Sequence, residues 1–340
     1  MLVRRIAARP DVERIIGIDK EPRPDILDDV DILTYLEINT AEAWEEEARQ
    51  HHPDIVIHTA WQIRPIYGNK ELSWKWNIDG SDKIFDFAFE EESVKKLVYF
   101  SSVSSYGAFA ENEIDHFFTE DEPFRKTQYL YAEEKRIAEE HLNAKYQHAA
   151  ANGNTTIVSI VRPAAITGPR GRFMRIRFGL QAALAGQLKG SLIYRLISSM
   201  VSFVPVTPKW LRQFIHEDDV VNIIEKLAFD DVSWQYEAFN ICPPGKPVLG
   251  DDMAKAVGKK TLPMPAWMVR IPFFWFWHLT RGRVPTSPGA WKGYSYPIAV
   301  DGSKLTRLLG YEYMYSSFDA FYYTDGEYEP YVPVEQRRSI

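Results

Sequence analysis

The feature that most constrains the fold is an alternation, in the first half of the chain, of short β-branched apolar runs with longer helical patterns. The helical patterns cover Ala41–His51, Trp74–Glu90 and Thr127–Ala149. The strand candidates are Arg14–Asp19, Ile32–Leu36, Ile55–Thr59, Leu97–Ser101 and Thr156–Val161. This alternation predicts βαβ units, so we expect an α/β fold with a doubly wound parallel sheet covered on both faces.

The pattern changes after Pro163, where proline and aromatic residues become denser and the alternation weakens. We expect a smaller substrate-binding lobe to begin there. A helix at His216–Phe229 and a strand at Ala238–Ile241 are predicted to return to the sheet. The predicted organisation is a sheet domain of residues 1–165, with 212–242 returning to it, and a substrate lobe of residues 166–211 and 243–330.

Composition narrows the class of protein. The 340 residues are 45% apolar and 26% charged, as in soluble globular proteins. A net charge of −7 without a long basic run argues against nucleic acid binding. The histidines lack metal-ligand spacing, so no metal site is predicted. Cys242 is the single cysteine and the N-terminus lacks a secretory signal pattern, so we expect a cytoplasmic protein.

One aromatic and apolar segment, Ala266–Leu279, raises the question of a membrane. It is shorter than a membrane span and is interrupted by Arg270 and Pro272. Apolar runs of this length more often belong to the core of a protein, so a helix packed on the protein is favoured over membrane contact, and no span is predicted.

Tyr131 and Lys135 are separated by four residues in a segment of good helix formers, which places both side chains on one helix face. A tyrosine, whose reference pKa is about 10, needs neighbours that favour the phenolate if it is to act as a base near neutrality. A nearby ammonium group has that effect. The chain has 18 tyrosines, so this spacing alone is equally compatible with an ordinary exposed pair.

Leu97–Gly107 adds a second signal, because an apolar strand ends there in a cluster of hydroxyl groups. Ligands of open parallel sheets bind beyond the carboxyl ends of the strands. A serine at that position can hydrogen-bond a substrate oxygen. A serine-rich turn or helix cap explains the local sequence equally well.

These segments together resemble the extended short-chain dehydrogenases/reductases, the NAD-dependent epimerase/dehydratase group. The family's strand-end signature matches SSVSSYG and places its catalytic serine or threonine at Ser102, and its Tyr-x-x-x-Lys motif matches Tyr131 and Lys135. Further matches are Asp19, His58–Ala60, Asn77, Thr119–Pro123, Arg162–Pro163, Gly168–Arg170, Arg212–Asp219, Phe239–Asn240 and Leu308–Gly310. The likeness covers nearly the whole chain.

The resemblance implies a Rossmann-type fold and NAD as cofactor. Asp19 would bind the adenosine ribose hydroxyl groups, and Lys20 beside it leaves NADP open as a second cofactor. Ala60 would line the nicotinamide side of the groove, and Asn77 would help to order the active site. Lys135 would bind the nicotinamide ribose.

The resemblance also implies the roles of the reacting groups. Tyr131 would act as acid and base, and Ser102 would orient the substrate oxygen. Ser104, Arg170 and Arg212 are candidates for binding a small-molecule substrate, with plain surface charge as the alternative for the two arginines. Members of the family often form homodimers through long helices such as the one that carries Tyr131.

The N-terminal sequence departs from the family pattern. The family begins with a strand and a Gly-x-x-Gly-x-x-Gly turn that binds the cofactor pyrophosphate. Here Met1–Arg9 has the pattern of the helix that follows that turn, so about 15 to 20 residues of a βα unit are expected to be missing. The strands ending at Asp19 and Thr59 should then lie roughly 10 Å apart, and the 340 residues should not bind NAD tightly.

Other departures concern the reaction. Val103 and Ser104 stand where sugar-nucleotide dehydratases have an acidic pair, which argues against dehydration. Ala165 and Thr167 replace an asparagine and a tyrosine that are usual in nucleotide-sugar enzymes. The sequence therefore predicts an NAD(P)-dependent oxidoreductase or epimerase acting on a sugar-nucleotide-like or other hydroxy or oxo substrate. A non-catalytic dinucleotide sensor or scaffold is the alternative, and the joint presence of Ser102, Tyr131 and Lys135 argues against it.

Overall fold

The computed structural model describes residues 1–169, 192, 203–256, 258, 260–323 and 325–332. Contacts divide the chain into two compact units. The first unit contains Met1–Ser101, Glu134–Val161 and Val221–Ala238, and the second contains Ser102–Glu133, Arg162–Val220 and Phe239–Ile340. Among the described residues, no helix has both the length and the apolar character needed to cross a membrane.

The described helices and strands follow the order expected for βα alternation and then become shorter. The helices are α1 (Leu2–Ala7), α2 (Glu45–Arg49), α3 (Lys70–Trp74), α4 (Gly80–Glu90), α5 (Leu130–Ala151), α6 (Glu217–Phe229), α7 (Gly250–Ala256), α8 (Ala266–Leu279), α9 (Ala290–Gly293), α10 (Ser303–Leu309) and α11 (Ser317–Tyr322). The strands are β1 (Ile15–Asp19), β2 (Leu33–Glu37), β3 (Ile55–His58), β4 (Lys96–Phe100), β5 (Phe117–Phe118), β6 (Ile157–Pro163), β7 (Ala165–Thr167), β8 (Phe203–Val206), β9 (Leu211–Arg212), β10 (Phe214–His216), β11 (Tyr236–Ile241), β12 (Val248–Leu249), β13 (Lys260–Pro263) and β14 (Ala299–Val300).

A four-stranded sheet of order β11-β6-β4-β3 forms the centre of the first unit. Strands β3, β4 and β6 are parallel, with Val56 opposite Leu97 and Leu97 opposite Val158. Leu97 is fully buried because helices cover both faces of such a sheet, and removing a leucine side chain from water contributes about 2 to 3 kcal/mol. The predicted α/β fold with a parallel sheet is confirmed.

Strands β1 and β2 form a separate parallel sheet in the first unit. Within the described residues, β1 pairs with β2 and not with β3, and the expected separation of roughly 10 Å between β1 and β3 stays a prediction. Ile18 of β1 and Val56 of β3 nevertheless pack against the same apolar core. Both strands are only half-buried along most of their length, unlike β4.

Helix α2 is shorter than the predicted helix Ala41–His51. The Asn39 side chain accepts a hydrogen bond from the backbone N–H of Ala41 at 2.9 Å, and its carbonyl accepts one from Glu42 at 2.8 Å. These bonds hold residues 39–42 in a turn that competes with helix formation, so the helix begins only at Glu45.

The second unit is built of short elements, as the sequence predicts for the part after Pro163. Its described strands pair as β7 with β10, β9 with β12, β5 with β14 and β8 with β13. An apolar cluster that includes Trp210, Phe214, Met253 and Phe321 fills its centre.

Helix α8 packs on the surface of the second unit, but with one side only. Phe273 and Trp277 are buried, but six large apolar side chains on the same helix are exposed. The aromatic segment therefore contacts the protein with one side only.

Candidate active site

Ser102 and Tyr131 are brought together within the second unit. Ser102 follows strand β4, is 4% exposed, and caps a short 3₁₀ turn by accepting the N–H of Ser104 at 3.1 Å. The same side chain lies near the phenol of Tyr131 and lowers its pKa. The serine is thus a cap, as the alternative interpretation held, and a partner of the tyrosine as well.

The start of helix α5 fixes the position of Tyr131. The Glu133 carboxylate accepts the N–H of Thr127 at 2.9 Å, which holds the turn before the helix. Gly289 lies against the same turn with a φ of 84°, and a Cβ there would come within 2.5 Å of the Tyr129 nitrogen. Only glycine allows both that conformation and that approach.

Burial raises the pKa of Tyr131, and the interaction with the Ser102 side chain lowers it again in part. The chain's own residues therefore hold the proton on the phenol near neutrality. An acid/base role near neutrality calls for neighbours that favour the phenolate, whereas the larger effect on the Tyr131 pKa, burial, acts in the opposite direction.

Lys135 belongs to the first unit and lies one turn after Tyr131 on the continuous helix α5. Its ammonium donates to the carbonyl of Phe100 and lies 3.6 Å from the ring centroid of Trp61. Burial lowers the pKa of Lys135 well below its usual value, although Glu139 and Glu134 oppose this. A lysine in this environment gives up its proton more easily than one in water.

Asn77 ties the segment after β3 to helix α5 in the first unit. Its side-chain oxygen accepts the N–H of Gln62 at 2.7 Å, and its amide donates to the Glu134 carboxylate at 2.7 Å. Asn77 lies in a π-helical turn that joins α3 to α4. Gly80, which follows this turn, lies so close to Thr40 that a Cβ on it would be 2.5 Å from the Thr40 hydroxyl oxygen.

Glu134 and Trp61 were not predicted from the sequence. Glu134 is 1% exposed, and burial raises the pKa of its carboxyl group. Its position three residues after Tyr131 was the available signal, because such residues lie on neighbouring positions of a helix surface. Trp61, which follows the predicted Ala60, gave no signal, since the contact with Lys135 depends on tertiary structure.

Asp19 ends strand β1 and is exposed. One of its carboxylate oxygens accepts the N–H of Glu21 at 3.0 Å. The neighbouring Lys20 pairs with Glu21 and lies over the ring of Trp76. An exposed carboxylate at a strand end has the chemistry needed to accept hydrogen bonds from a ribose diol, so this residue fits the adenosine end of NAD.

His58 is the last residue of β3, and Ala60 lies two residues further along the chain. His58 is buried, shares a 2.8 Å hydrogen bond with Ser81, and stacks on Tyr99 with ring centroids 5.5 Å apart. Burial lowers the pKa of His58 to about 3, and the Lys135 charge acts in the same direction. Ala60 is half-buried beside it.

Two of the three predicted substrate-binding residues line one cleft of the second unit. Ser104 and Arg212 share it with Ala164, Gln213 and Tyr296. Arg212 donates to the carbonyl of Gly293 at 2.7 Å and lies over the ring of Tyr294, so its guanidinium is held in place. The third, Arg170, lies outside the described residues.

Solved structures of similar fold include three enzymes. WbmG from Bordetella bronchiseptica, in complex with NAD, is 20% identical with a TM-score of 0.64, over 94% of this chain and 86% of that chain. UDP-glucuronic acid 4-epimerase from Bacillus cereus, with UDP-glucuronic acid and NAD, is 16% identical with a TM-score of 0.65, over 94% and 92%. dTDP-glucose 4,6-dehydratase from Bacillus anthracis, with NAD, is 13% identical with a TM-score of 0.63, over 94% and 89%. A search of curated proteins gave no match.

At these identities the solved structures establish the class of fold, that of the sugar-nucleotide epimerases and dehydratases. The model of the NAD dependent epimerase/dehydratase family matches residues 1–242. The chain therefore belongs to this family of enzymes, and the resemblance seen in the sequence is confirmed.

Proposed function

We propose that the protein is an NAD-dependent oxidoreductase or epimerase that transfers a hydride at a carbinol or keto carbon. The observation that carries the proposal is the placement of the Ser102 side chain near the Tyr131 phenol, with Lys135 one turn further on the same helix. This combination of a phenol, a hydroxyl and an amine suits the transfer of one proton to or from a substrate oxygen.

The chain's own residues would divide the work as follows. Ser102 would hold the substrate oxygen by a hydrogen bond, and Tyr131 would take its proton during oxidation and return it during reduction. NAD, when bound, supplies the hydride acceptor and donor. Lys135 would bind the nicotinamide ribose, one turn further along the same helix.

The cofactor assignment rests on Asp19. Its exposed carboxylate can accept hydrogen bonds from the adenosine ribose hydroxyl groups and would repel a 2′-phosphate. Lys20 is already paired with Glu21 and packed on Trp76, so its charge is partly compensated. We therefore favour NAD over NADP, with Ala60 at the nicotinamide side and Asn77 ordering the segment beside it.

The substrate class that we propose is a sugar nucleotide. Arg212 and Ser104 line one cleft and offer a cation and a hydroxyl group, which suit a phosphate-bearing ligand. The neighbours crystallised with UDP-glucuronic acid support the same class. Val103 and Ser104 in place of an acidic pair favour epimerisation or oxidation over dehydration, and the region 1–165 with 212–242 would hold the cofactor.

The test compares Tyr131→Phe with Tyr146→Phe, which removes a phenol hydroxyl from the same helix. Every cofactor measurement uses an N-terminally extended form of the protein, which supplies a strand and a glycine-rich turn for the cofactor pyrophosphate. Turnover is measured by NADH absorbance and by product analysis with a panel of UDP- and dTDP-sugars, and NAD affinity by calorimetry. We expect Tyr131→Phe to lower turnover by at least about 100- to 1,000-fold with NAD affinity nearly unchanged. Tyr146→Phe should retain wild-type turnover.

Undiminished turnover in Tyr131→Phe would overturn the assignment of the acid/base. The alternative function, a non-catalytic dinucleotide sensor or scaffold, predicts NAD binding by the wild-type protein with no turnover of any sugar nucleotide or other hydroxy substrate.

A further inference from the structure

The exposed side of helix α8 forms a continuous apolar stripe in the second unit. Six large side chains on it are between 41% and 74% exposed: Trp267, Met268, Ile271, Phe274, Trp275 and Leu279. Their spacings of one, three and four residues place them on one helix face. Large contiguous apolar patches are uncommon on soluble monomers and usually mark an interaction surface.

The opposite side of the helix anchors it to the protein. Phe273 and Trp277 are buried, and the Phe273 ring packs against Tyr294 with centroids 5.1 Å apart. The helix ends at Leu279, where the N–H of the next residue, Thr280, donates to the Phe276 carbonyl at 3.1 Å. The stripe is therefore presented by a helix fixed on its inner side.

The chain segment that contains the stripe carries charges of one sign. Residues 253–300 contain no aspartate or glutamate, although the whole chain carries a net charge of −7. The same range contains seven basic residues: Lys255, Lys259, Lys260, Arg270, Arg281, Arg283 and Lys292. Arg270 lies on α8 itself, Arg281 and Arg283 follow its last turn, and all three are exposed. An apolar stripe flanked by positive charges is complementary to a partner that has an anionic surface and an apolar interior.

A second copy of this chain fits the stripe poorly. Two-fold pairing of α8 with itself would bring Arg270, Arg281 and Arg283 of both copies into one interface, and the segment has no carboxylate to compensate them. Like charges at close range oppose association. The charge pattern therefore favours an anionic occupant.

We propose that α8 docks the protein on an anionic lipid bilayer. The helix has 14 residues, too few to span the hydrocarbon core, so it would lie in the plane of the interface. Trp267, Phe274 and Trp275 would enter the boundary between headgroups and acyl chains, where aromatic side chains are enriched. The arginines would face lipid phosphates. This inference does not depend on the proposed reaction.

Vesicle flotation tests the proposal. The probes are vesicles of phosphatidylcholine alone and of phosphatidylcholine with 30% phosphatidylglycerol, at about 0.1 M salt. We expect wild-type protein to float with the anionic vesicles, and Phe274→Glu/Trp275→Glu to lower its partition coefficient at least ~10-fold. The matched control is Phe318→Glu/Tyr322→Glu, which places the same charges at exposed aromatic positions of helix α11 and should bind as wild type does.

Three further measurements complete the test. Arg281→Gln/Arg283→Gln should weaken binding to anionic vesicles, and higher salt should weaken wild-type binding in the same way. Tyr131→Phe should bind vesicles normally, which separates this inference from the reaction. Failure of the wild type to float at about 1 mM lipid, or an equal loss in the α11 control, would overturn the proposal. So would a dimer in light scattering that Phe274→Glu/Trp275→Glu dissociates, with no vesicle binding.

Discussion

Strands β4 and β1 have similar apolar sequences but very different surroundings within the first unit. Leu97, Val98 and Tyr99 of β4 are fully buried, whereas β1 is half-buried and ends in the exposed Asp19. Strand β4 has hydrogen-bonded partners on both sides, and β1 has one described partner, β2. Stability is therefore concentrated around β4, while the open end of β1 leaves the Asp19 carboxylate accessible to a ligand.

The largest expected effect lies in the core beside β4. Phe85 is fully buried on α4 and packs edge-on against Tyr99 at 5.1 Å. Phe85→Ala should lower the free energy of unfolding by about 3 to 5 kcal/mol, since it removes apolar contacts and leaves a cavity. Denaturant unfolding measures the free energy of unfolding of each variant. Phe274→Ala, at an exposed phenylalanine, should change stability by less than about 0.5 kcal/mol. Similar losses in the two variants would contradict the burial pattern.

The second effect is a pH dependence of the free energy of unfolding, caused by His58, which stacks on Tyr99 of β4. Burial depresses the pKa of His58 to about 3, compared with about 6.5 in an unfolded chain. Above pH 6.5 both states are neutral. As the pH falls below 6.5, the unfolded state takes up a proton that folded His58 does not, so stability is lost. The loss should reach about 2 kcal/mol between pH 6.5 and 5.

Replacing the histidine isolates this contribution. His58→Gln should be less stable at pH 7, because it loses packing on Tyr99, but its stability should fall less steeply with acid than that of the wild type. His148→Gln, at an exposed position of α5, should follow the wild-type pH curve. Parallel curves for wild type and His58→Gln would show that His58 is protonated in the folded protein.

The same contrast explains what the sequence could predict. Strands β1 to β4 were placed within one or two residues, because short β-branched runs specify strands through composition alone. The pairing of Asn77 with Glu134 joins residues 57 positions apart and depends on how the helices pack, so no local pattern indicated it. The exposure of α8 was also missed, since an aromatic run does not show which of its sides the protein covers. Ser102 and Tyr131 were predicted through family resemblance, because each signal alone had an ordinary alternative.

The smallest expected effect is at the open end of β1. Asp19→Ala should lower NAD affinity more than NADP affinity, because the carboxylate accepts hydrogen bonds from the ribose diol and repels a 2′-phosphate. We expect the ratio of the two affinities to change by about 5- to 20-fold, in line with the loss of one or two hydrogen bonds to a charged group. Titration calorimetry with both cofactors measures this ratio.

Asp29→Ala is the control, since this exposed carboxylate pairs with Arg4 in the same unit. Because both affinities come from one variant, a general loss of stability would lower them together and leave their ratio unchanged. An unchanged ratio would therefore show that Asp19 serves only the turn that it forms with Glu21.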